Sequence, residues 1–302
     1  MTHPRPRIGL ALGSGSARGW SHIGVIRVLE RAGISPDIVC GTSIGALVGA
    51  AYAAGELDRL EPWVKGLTWQ GVLGLLDFKM GGGLIEGGKL VEFFRSHFKD
   101  DGIAQLSKPF ACVATELFTG REVWLREGSV IDAVRASIAL PGLFTPGQRD
   151  GKLLVDGSLV NPIPVSLCRA MGADIVIAVD LNWDLLGHHS RVAVQTKEAV
   201  PPASRGALLD AILAKFRLTA RLNGSTNSAK DMPSMLDVMA TSLNIMQVRI
   251  TQSRLAGEPA DVMIRPRVFD IAPMDYHLAT AAITEGERAA EKALPFIKEV
   301  ME

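Results

Sequence analysis

The stretch PDIVCGTSIGALVGAAYAAG, from Pro36 to Gly55, has no charged residue after Asp37 and predicts a buried strand followed directly by a helix. The strand is expected at the apolar residues Ile38–Cys40, and the helix at Ile44–Ala54. Similar strand-then-helix units recur along most of the chain. This alternation indicates an α/β fold of three layers, with a mainly parallel central sheet and helices on both faces.

The remaining predicted elements continue the alternation. Further strands are expected at Ile8–Leu12, Pro109–Thr115, Leu153–Val155, Ile175–Val179 and Val262–Pro266, and Arg121–Gly128 is the expected hairpin partner of Pro109–Thr115. Further helices are expected at Ala17–Gly33, Ser129–Leu140, Pro164–Met171, Met235–Arg254 and Ala279–Val300. We predict a single domain over residues 1–302, with a core at about 7–181, a mobile or inserted region at about 183–234, and a helical and strand completion at 235–302.

Composition narrows the class of protein. Of the 302 residues 47% are hydrophobic, which is enough for a substantial core, and lysine plus arginine equals aspartate plus glutamate at 32 each. No overall field therefore favours nucleic acid as a partner. The cysteines, Cys40, Cys112 and Cys168, form no Cys-x-x-Cys pair and are predicted to be buried free thiols in a reducing cytoplasm. No transmembrane segment is evident.

Ser43 stands between Gly41 and Gly45 at the predicted turn from strand to helix. Glycine lacks the Cβ atom that would collide in so tight a turn. The turn would also place the serine hydroxyl at a helix N-terminus, where backbone N–H groups favour developing negative charge. The pattern predicts a nucleophile elbow, and the competing interpretation is a small-residue helix that contains Gly-x-Ser-x-Gly by chance.

A second glycine-rich stretch, GSGSARG from Gly13 to Gly19, lies between the first predicted strand and helix. A dinucleotide fingerprint would need glycine where Arg18 stands, so that site is excluded. Backbone N–H groups in such a loop suit an oxyanion hole, since glycines let a carbonyl approach the main chain. The alternative is an ordinary tight turn.

Asp156 ends a predicted strand in the stretch VDGSLVNPIP. Its carboxylate could act as a general base for a serine brought close in space, or form an Asx-type turn. None of the histidines has spacing to a second ligand that predicts a metal site, and no cofactor is expected. His188 and His189 could instead complete a Ser–His–Asp triad, and that alternative stays open.

These pieces, in this order, resemble the patatin-like phospholipase family, in particular its short bacterial members. The resemblance covers about Arg7 to Asp180 and includes the glycine-rich loop, the elbow, the block ASIALPGLFTP at Ala136–Pro146 and the Asp-Gly turn. It implies a serine acyl hydrolase that cleaves phospholipids or lysophospholipids and uses a Ser–Asp dyad without histidine. A protein that keeps the fold for regulation or membrane docking is the alternative from another class.

By the resemblance, Ser43 is the nucleophile and Asp156 the general base. The main chain around Gly13, Ser14 and Gly15 would form the oxyanion hole, and Arg18 would fix that loop. Two departures stand out. The family's triple glycine reads Gly-Ser-Gly here, and its Asp-Gly-Gly or Asp-Gly-Ala reads Asp156-Gly157-Ser158.

Three further parts of the sequence suggest how a lipid could be bound or reached. The small residues Ala46, Gly49, Ala50 and Ala53 could flank an acyl chain. The apolar segment Leu67–Leu84 is expected to be core and loop, with a lid as the alternative. Ala207–Leu222 is predicted as a helix packed on the core, or as a basic amphipathic helix in peripheral contact with the inner membrane surface.

Overall fold

The computed structural model describes residues 5–68, 70–71, 100, 102–141, 143–185 and 235–302. Within these residues one eight-stranded sheet has the strand order β5-β6-β3-β2-β1-β7-β8, and β4 also pairs with β3. The strands are β1 (Ile8–Leu12), β2 (Ile38–Thr42), β3 (Phe110–Glu116), β4 (Glu122–Leu125), β5 (Gly147–Arg149), β6 (Lys152–Asp156), β7 (Ile175–Val179) and β8 (Val262–Ile264).

The centre of the sheet is parallel, as the sequence predicts. β1 pairs in parallel with β2 and with β7, while β3 and β8 extend the parallel set on either side. All five residues of β1 are buried, and so are those of β2 and β7. A strand that is covered on both faces is a continuous apolar run rather than an alternating one. The central strands are such runs, and for this reason they could be predicted from the sequence.

Helices cover both faces. The α-helices are α1 (Ser21–Arg31), α2 (Ile44–Ala53), α3 (Leu57–Lys65), α4 (Val130–Ser137), α5 (Val165–Ala170), α6 (Met235–Gly257) and α7 (Ala279–Met301). Side chains of α1 to α4 and of α7 share one large apolar core with the sheet, and those of α5, together with Leu255 of α6, belong to the core on the other face. The three-layer α/β prediction is therefore confirmed.

Helices α1 and α7 approach each other closely because both carry glycine at the contact. A Cβ atom on Gly24 of α1 would lie 2.0 Å from the carbonyl oxygen of Ile283, and one on Gly286 of α7 would lie 2.0 Å from that of Ser21. The predicted closing helix is thus packed backbone to backbone against the first helix. This contact joins the C-terminal segment to the core near the glycine-rich loop.

One edge of β3 carries two strands end to end. Val113 pairs with Thr42 of β2 and with β4, whereas Ala114 pairs with Asp156 of β6 and with β4. Since β4 occupies one edge throughout, β2 and β6 must share the other. β2 runs parallel to β3 and β6 antiparallel, so their C-terminal ends converge at adjacent residues of β3. The turn after β2 and the end of β6 therefore meet.

Several predicted boundaries shift. β2 extends to Thr42, and the predicted helix Ala17–Gly33 divides into a 3₁₀ turn, Ser16–Trp20, followed by α1. Helix α4 ends at Ser137 rather than Leu140, because the next turn leaves the helix and Ala139 accepts a hydrogen bond from the Asp156 amide.

Helix α3 and strand β5 were not predicted. Pro62 lies inside α3, and proline argues against a helix interior. β5 is short and polar, so it lacks the apolar pattern by which a strand is predicted from sequence. The predicted helix at 207–222 and most of the segment 67–84 lie outside the described residues.

The three cysteines are free and buried, as predicted. Among the helices in the described ranges, none combines the length and apolar character that crossing a membrane requires.

Candidate active site

The turn from β2 into α2 holds Ser43 in an unusual backbone conformation. Its φ of 57° and ψ of −125° lie where residues with a side chain seldom occur. A Cβ on Gly41 would lie 2.3 Å from the carbonyl oxygen of Gly45, and one on Gly45 would lie 2.2 Å from that of Leu12. Only glycine fits at either position, so the two glycines permit the strained turn that exposes the serine side chain to a cavity.

Ser43 and Asp156 are in direct contact. The Ser43 hydroxyl donates a hydrogen bond to Oδ2 of Asp156 at 2.5 Å, across 113 positions of sequence. The Ser43 amide donates to the hydroxyl of Ser137, which itself donates to the carbonyl of Val113. The serine is therefore tied to the residue of β3 at which β2 ends.

Asp156 is almost fully buried, and hydrogen bonds hold both its main chain and its carboxyl group. Its amide donates to the carbonyl of Ala139, its carbonyl accepts from the hydroxyl of Thr115, and Oδ1 accepts from the amide of Ser158 at 2.8 Å. Burial raises the pKa of this carboxyl to about 6, and hydrogen bonds from Ser43 and Ser158 oppose the rise. The carboxylate is thus ionised at neutral pH but basic enough to take up a proton.

The glycine-rich loop offers fewer free amides than expected. The Gly13 amide donates to the carbonyl of Val179 and the Ser14 amide to that of Pro162. Across the ranges that the structure describes, no acceptor is found for the amides of Gly15 and Ser16. The expected oxyanion hole around Gly13, Ser14 and Gly15 therefore changes in part: the N–H groups of Gly13 and Ser14 anchor the loop, and within the described ranges the amides without an acceptor are those of Gly15 and Ser16.

Arg18 lies buried beneath this loop. Its Nε donates to the carbonyl of Gly15 at 3.0 Å, so its side chain holds the loop in shape. Burial lowers its pKa to about 10, while nearby Asp184 and Tyr276 act to raise it, and the guanidinium stays charged.

His22 supports the other end of the loop. Its Nε2 lies 2.8 Å from the carbonyl oxygen of Gly13, which can only accept, so Nε2 carries the proton. Burial lowers the pKa of His22 to about 4, partly offset by that hydrogen bond. This histidine is therefore neutral at physiological pH, and its hydrogen bond stabilises the glycine-rich loop rather than orienting Ser43. His188 and His189 lie outside the described residues.

A cavity of about 180 Å³ opens over Ser43 and Asp156. Gly15, Ser16 and Arg18 line it beside them, and most of its wall is apolar, contributed by residues such as Leu47, Trp63, Leu143, Phe144 and Met274. Ala46, Gly49, Ala50 and Ala53 do not line it. Ala46, Ala50 and Ala53 belong to the apolar core, and Gly49 faces Val39 and Leu12, so the expectation that these four residues flank a ligand in this cavity is not met; Ile44 and Leu47 are the α2 residues that line it.

Several site residues were not singled out by sequence reasoning. Ser137 lies in the quoted block Ala136–Pro146, but nothing in that block assigns it a role. Tyr276 lies in a loop, and Gln247 lies on α6, and no local sequence pattern predicts that either residue reaches the site. Ser158 was visible only as a departure in the Asp-Gly turn. Tyr276 shares a hydrogen bond of 2.8 Å with Ser16, which links the closing segment to the glycine-rich loop.

The chemistry that this arrangement permits is nucleophilic. A hydroxyl hydrogen-bonded to a buried carboxylate can be deprotonated as it attacks, and nearby amides can bind the resulting oxyanion. No cluster of three or more histidine, cysteine or carboxylate side chains suited to a metal occurs in the described part of the chain. The apolar wall suits a ligand with a hydrocarbon portion.

Comparison with known proteins identifies the family. The family model described as Patatin-like phospholipase matches residues 10–169, more than half of the chain. An uncharacterised NTE family protein of Mycobacterium bovis is 33% identical, over 96% of this chain and 91% of its own length. The human patatin-like phospholipase domain-containing protein 6 is 38% identical over 184 residues, which is 58% of this chain and 13% of that protein.

Among solved structures, VipD from Legionella pneumophila aligns with 97% of this chain and 67% of its own, with a TM-score of 0.45 and 13% identity. The extent of the family match and the near full-length relative decide the assignment. This chain belongs to the patatin-like phospholipase family.

Proposed function

We propose that the protein is a serine acyl hydrolase that cleaves fatty-acyl ester bonds of phospholipids or lysophospholipids, with Ser43 as nucleophile and Asp156 as general base. The observation that carries this is the 2.5 Å hydrogen bond from the Ser43 hydroxyl to Asp156 at the floor of an apolar cavity. The family membership favours the same activity. The substrate would be a lipid ester whose acyl chain lies against the apolar wall.

In this mechanism the Ser43 oxygen attacks the ester carbonyl while its proton passes to Asp156. The carbonyl oxygen becomes an oxyanion, for which the amides of Gly15 and Ser16 are the proposed donors, with Gly13, Ser14 and Arg18 holding their loop. Collapse expels the alcohol, which leaves with the proton from Asp156, and the fatty acyl group remains esterified to Ser43.

Water then enters, and Asp156 removes its proton as it attacks the acyl-enzyme. Release of the fatty acid returns the proton to the Ser43 oxygen. A carboxyl whose pKa is about 6 suits both directions of transfer, since it is ionised at pH 7 and a stronger base than an exposed aspartate. We further propose that this reaction takes place in the cytoplasm with peripheral access to the inner membrane surface; the free, buried cysteines fit a reducing compartment, and a lipid substrate would require such access.

Fatty-acid release tests this function. Purified protein is incubated with vesicles of mixed phospholipids and lysophospholipids, and products are quantified by lipid mass spectrometry. We expect wild type to release fatty acid and Ser43→Ala to release at least about 10³-fold less, because the variant lacks the nucleophile. Ser35→Ala, which changes an exposed serine bonded to Lys108, should match wild type.

Two outcomes would contradict the proposal. Equal release by wild type and Ser43→Ala would reject the serine nucleophile, and release by neither would favour a non-catalytic role. A matching loss in a variant lacking both His188 and His189 would favour the histidine triad instead.

A further inference from the structure

Ser158 contacts the catalytic carboxylate at the oxygen that Ser43 does not use. Its amide donates to Oδ1 of Asp156 at 2.8 Å, and its side chain acts to lower the pKa of the same carboxyl group. Ser158 is itself almost fully buried.

Gln247 approaches Ser158 from helix α6. Its Nε2 donates to the Ser158 hydroxyl oxygen at 2.8 Å, across 89 positions of sequence, and the glutamine is only 9% exposed. An amide N–H can only donate, so the Ser158 oxygen is the acceptor in this contact. The hydroxyl proton of Ser158 takes no part in this contact and is available to a nearby acceptor such as Asp156.

We propose that Gln247 is a positioning residue for the reaction: it orients the Ser158 hydroxyl toward Asp156 and so stabilises the ionised, proton-accepting carboxylate. The inference rests on the proposed function. Gln247 lies outside residues 10–169, which the family model matches, so this contribution comes from the part of the chain that the family pattern leaves unassigned. Aligned hydrogen bonds in a dry site polarise one another, which strengthens the contact to the carboxylate.

Other groups around Asp156 do not duplicate this contact. Tyr276 is the titratable neighbour across the cavity; burial raises its phenol pKa, and the charge of Asp156 raises it further, so the phenol stays neutral. Arg18 lines the same cavity and lies near Tyr276, but its Nε bonds to Gly15. Removing a donor from the ionised carboxylate must raise the pKa of Asp156, because only the ionised form loses a stabilising partner.

The experiment measures how fast a fluorophosphonate inactivates the protein between pH 5 and pH 9. The wild-type rate should rise with pH through the pKa of Asp156, about 6. Gln247→Leu and Ser158→Ala should each shift this rise to higher pH. A shift of one unit lowers the rate about fivefold at pH 6 and about twofold at pH 7, and leaves it nearly unchanged at pH 8. A merely structural defect would lower the rate equally at every pH.

Additional variants sharpen the test. The double variant Gln247→Leu/Ser158→Ala should shift no further than Ser158→Ala alone, because Gln247 acts through Ser158. Gln247→Met keeps the length of the side chain but has no N–H donor and no charge, so it should shift the rise about as far as Gln247→Leu. Gln252→Leu is the matched control, since Gln252 is exposed on the same helix and bonds to Arg249; its profile should equal that of wild type.

The outcomes distinguish the role of Gln247 from the proposed hydrolase activity. Folded Gln247→Leu and Gln247→Met variants with an unshifted rise would overturn the role of Gln247 while leaving the hydrolase intact. If Gln247→Leu does not fold, the profile of Gln247→Met, which also lacks the N–H donor, decides in its place, and an unshifted rise in that variant would overturn the role of Gln247. A wild-type protein that does not react at all, or reacts equally in Ser43→Ala, would instead overturn the proposed function.

Discussion

Replacing Asp156 with asparagine is expected to reduce fatty-acid release at least about 10³-fold and, at the same time, to make the protein more stable at alkaline pH. Asparagine keeps the shape of the side chain and can still accept from the Ser158 amide, but it cannot take the proton of Ser43. The loss of activity should therefore occur in a well-folded protein.

The stability effect follows from the pKa of Asp156, which burial raises from 3.8 to about 6. Well below pH 3.8 the carboxyl is neutral in both the folded and the unfolded chain and does not affect the free energy of unfolding. Between pH 4 and pH 6 the unfolded chain ionises first, so this residue lowers the free energy of unfolding progressively, and above pH 6 the cost reaches about 3 kcal/mol. Asparagine carries no charge and avoids that cost.

Denaturant unfolding at pH 4 and at pH 8 tests the stability effect. We expect Asp156→Asn to exceed wild type by up to about 3 kcal/mol at pH 8, with the difference shrinking toward zero at pH 4. Asp150→Asn provides the control, because Asp150 is exposed in a turn at a φ of 50° that asparagine tolerates. Activity within tenfold of wild type would reject Asp156 as the base, and equal stability differences at both pH values would show that its ionisation carries no folding cost.

Adding a single methyl group at Gly45 is expected to prevent folding of the elbow. The new Cβ would lie 2.2 Å from the carbonyl oxygen of Leu12 and 2.7 Å from that of Gly13, and both belong to the backbone of the central strand and the loop after it. Neither can move without disrupting the sheet. We expect Gly45→Ala to lower the free energy of unfolding by more than about 4 kcal/mol, or to yield no folded protein.

Gly49→Ala is the matched comparison on the same helix. Its Cβ would meet only side-chain atoms, the nearest being Val39 Cγ1 at 3.1 Å and Leu12 Cδ1 at 3.3 Å, which can shift by a few tenths of an ångström. Its effect on the free energy of unfolding should stay below about 1.5 kcal/mol. Thermal unfolding followed by circular dichroism compares the two, and similar melting temperatures for Gly45→Ala and wild type would refute the packing argument.

The parallel core of the fold was predictable because its strands are short apolar runs bounded by glycine, proline or aspartate. Ile8–Leu12, which ends before Gly13, and Ile175–Val179, which lies between Asp174 and Asp180, have the ends that the sequence predicts. Ser43 and Asp156 could be named because each lies in a glycine turn at the end of a strand. Their proximity remained an inference, since it depends on β2 and β6 meeting end to end along β3, and the antiparallel direction of β6 leaves no local trace in sequence.

Contacts made across long sequence distances were not predictable. The hydrogen bonds that occupy the amides of Gly13 and Ser14 go to carbonyls of residues 179 and 162, so the loop sequence alone could not reveal which amides remain free. Gln247 lies on a helix with little amphipathic character, and only tertiary packing brings it to Ser158. The sequence could therefore suggest the reacting groups but not the groups that orient them.

Mass mapping of a fluorophosphonate adduct tests most directly whether Ser43 is an activated nucleophile. Folded wild-type protein is treated at pH 8, digested and sequenced by tandem mass spectrometry. One adduct on Ser43 is expected, absent in Ser43→Ala and strongly reduced in Asp156→Asn. An adduct on a different residue, or an unmodified Ser43 in protein shown to be folded, would contradict the account.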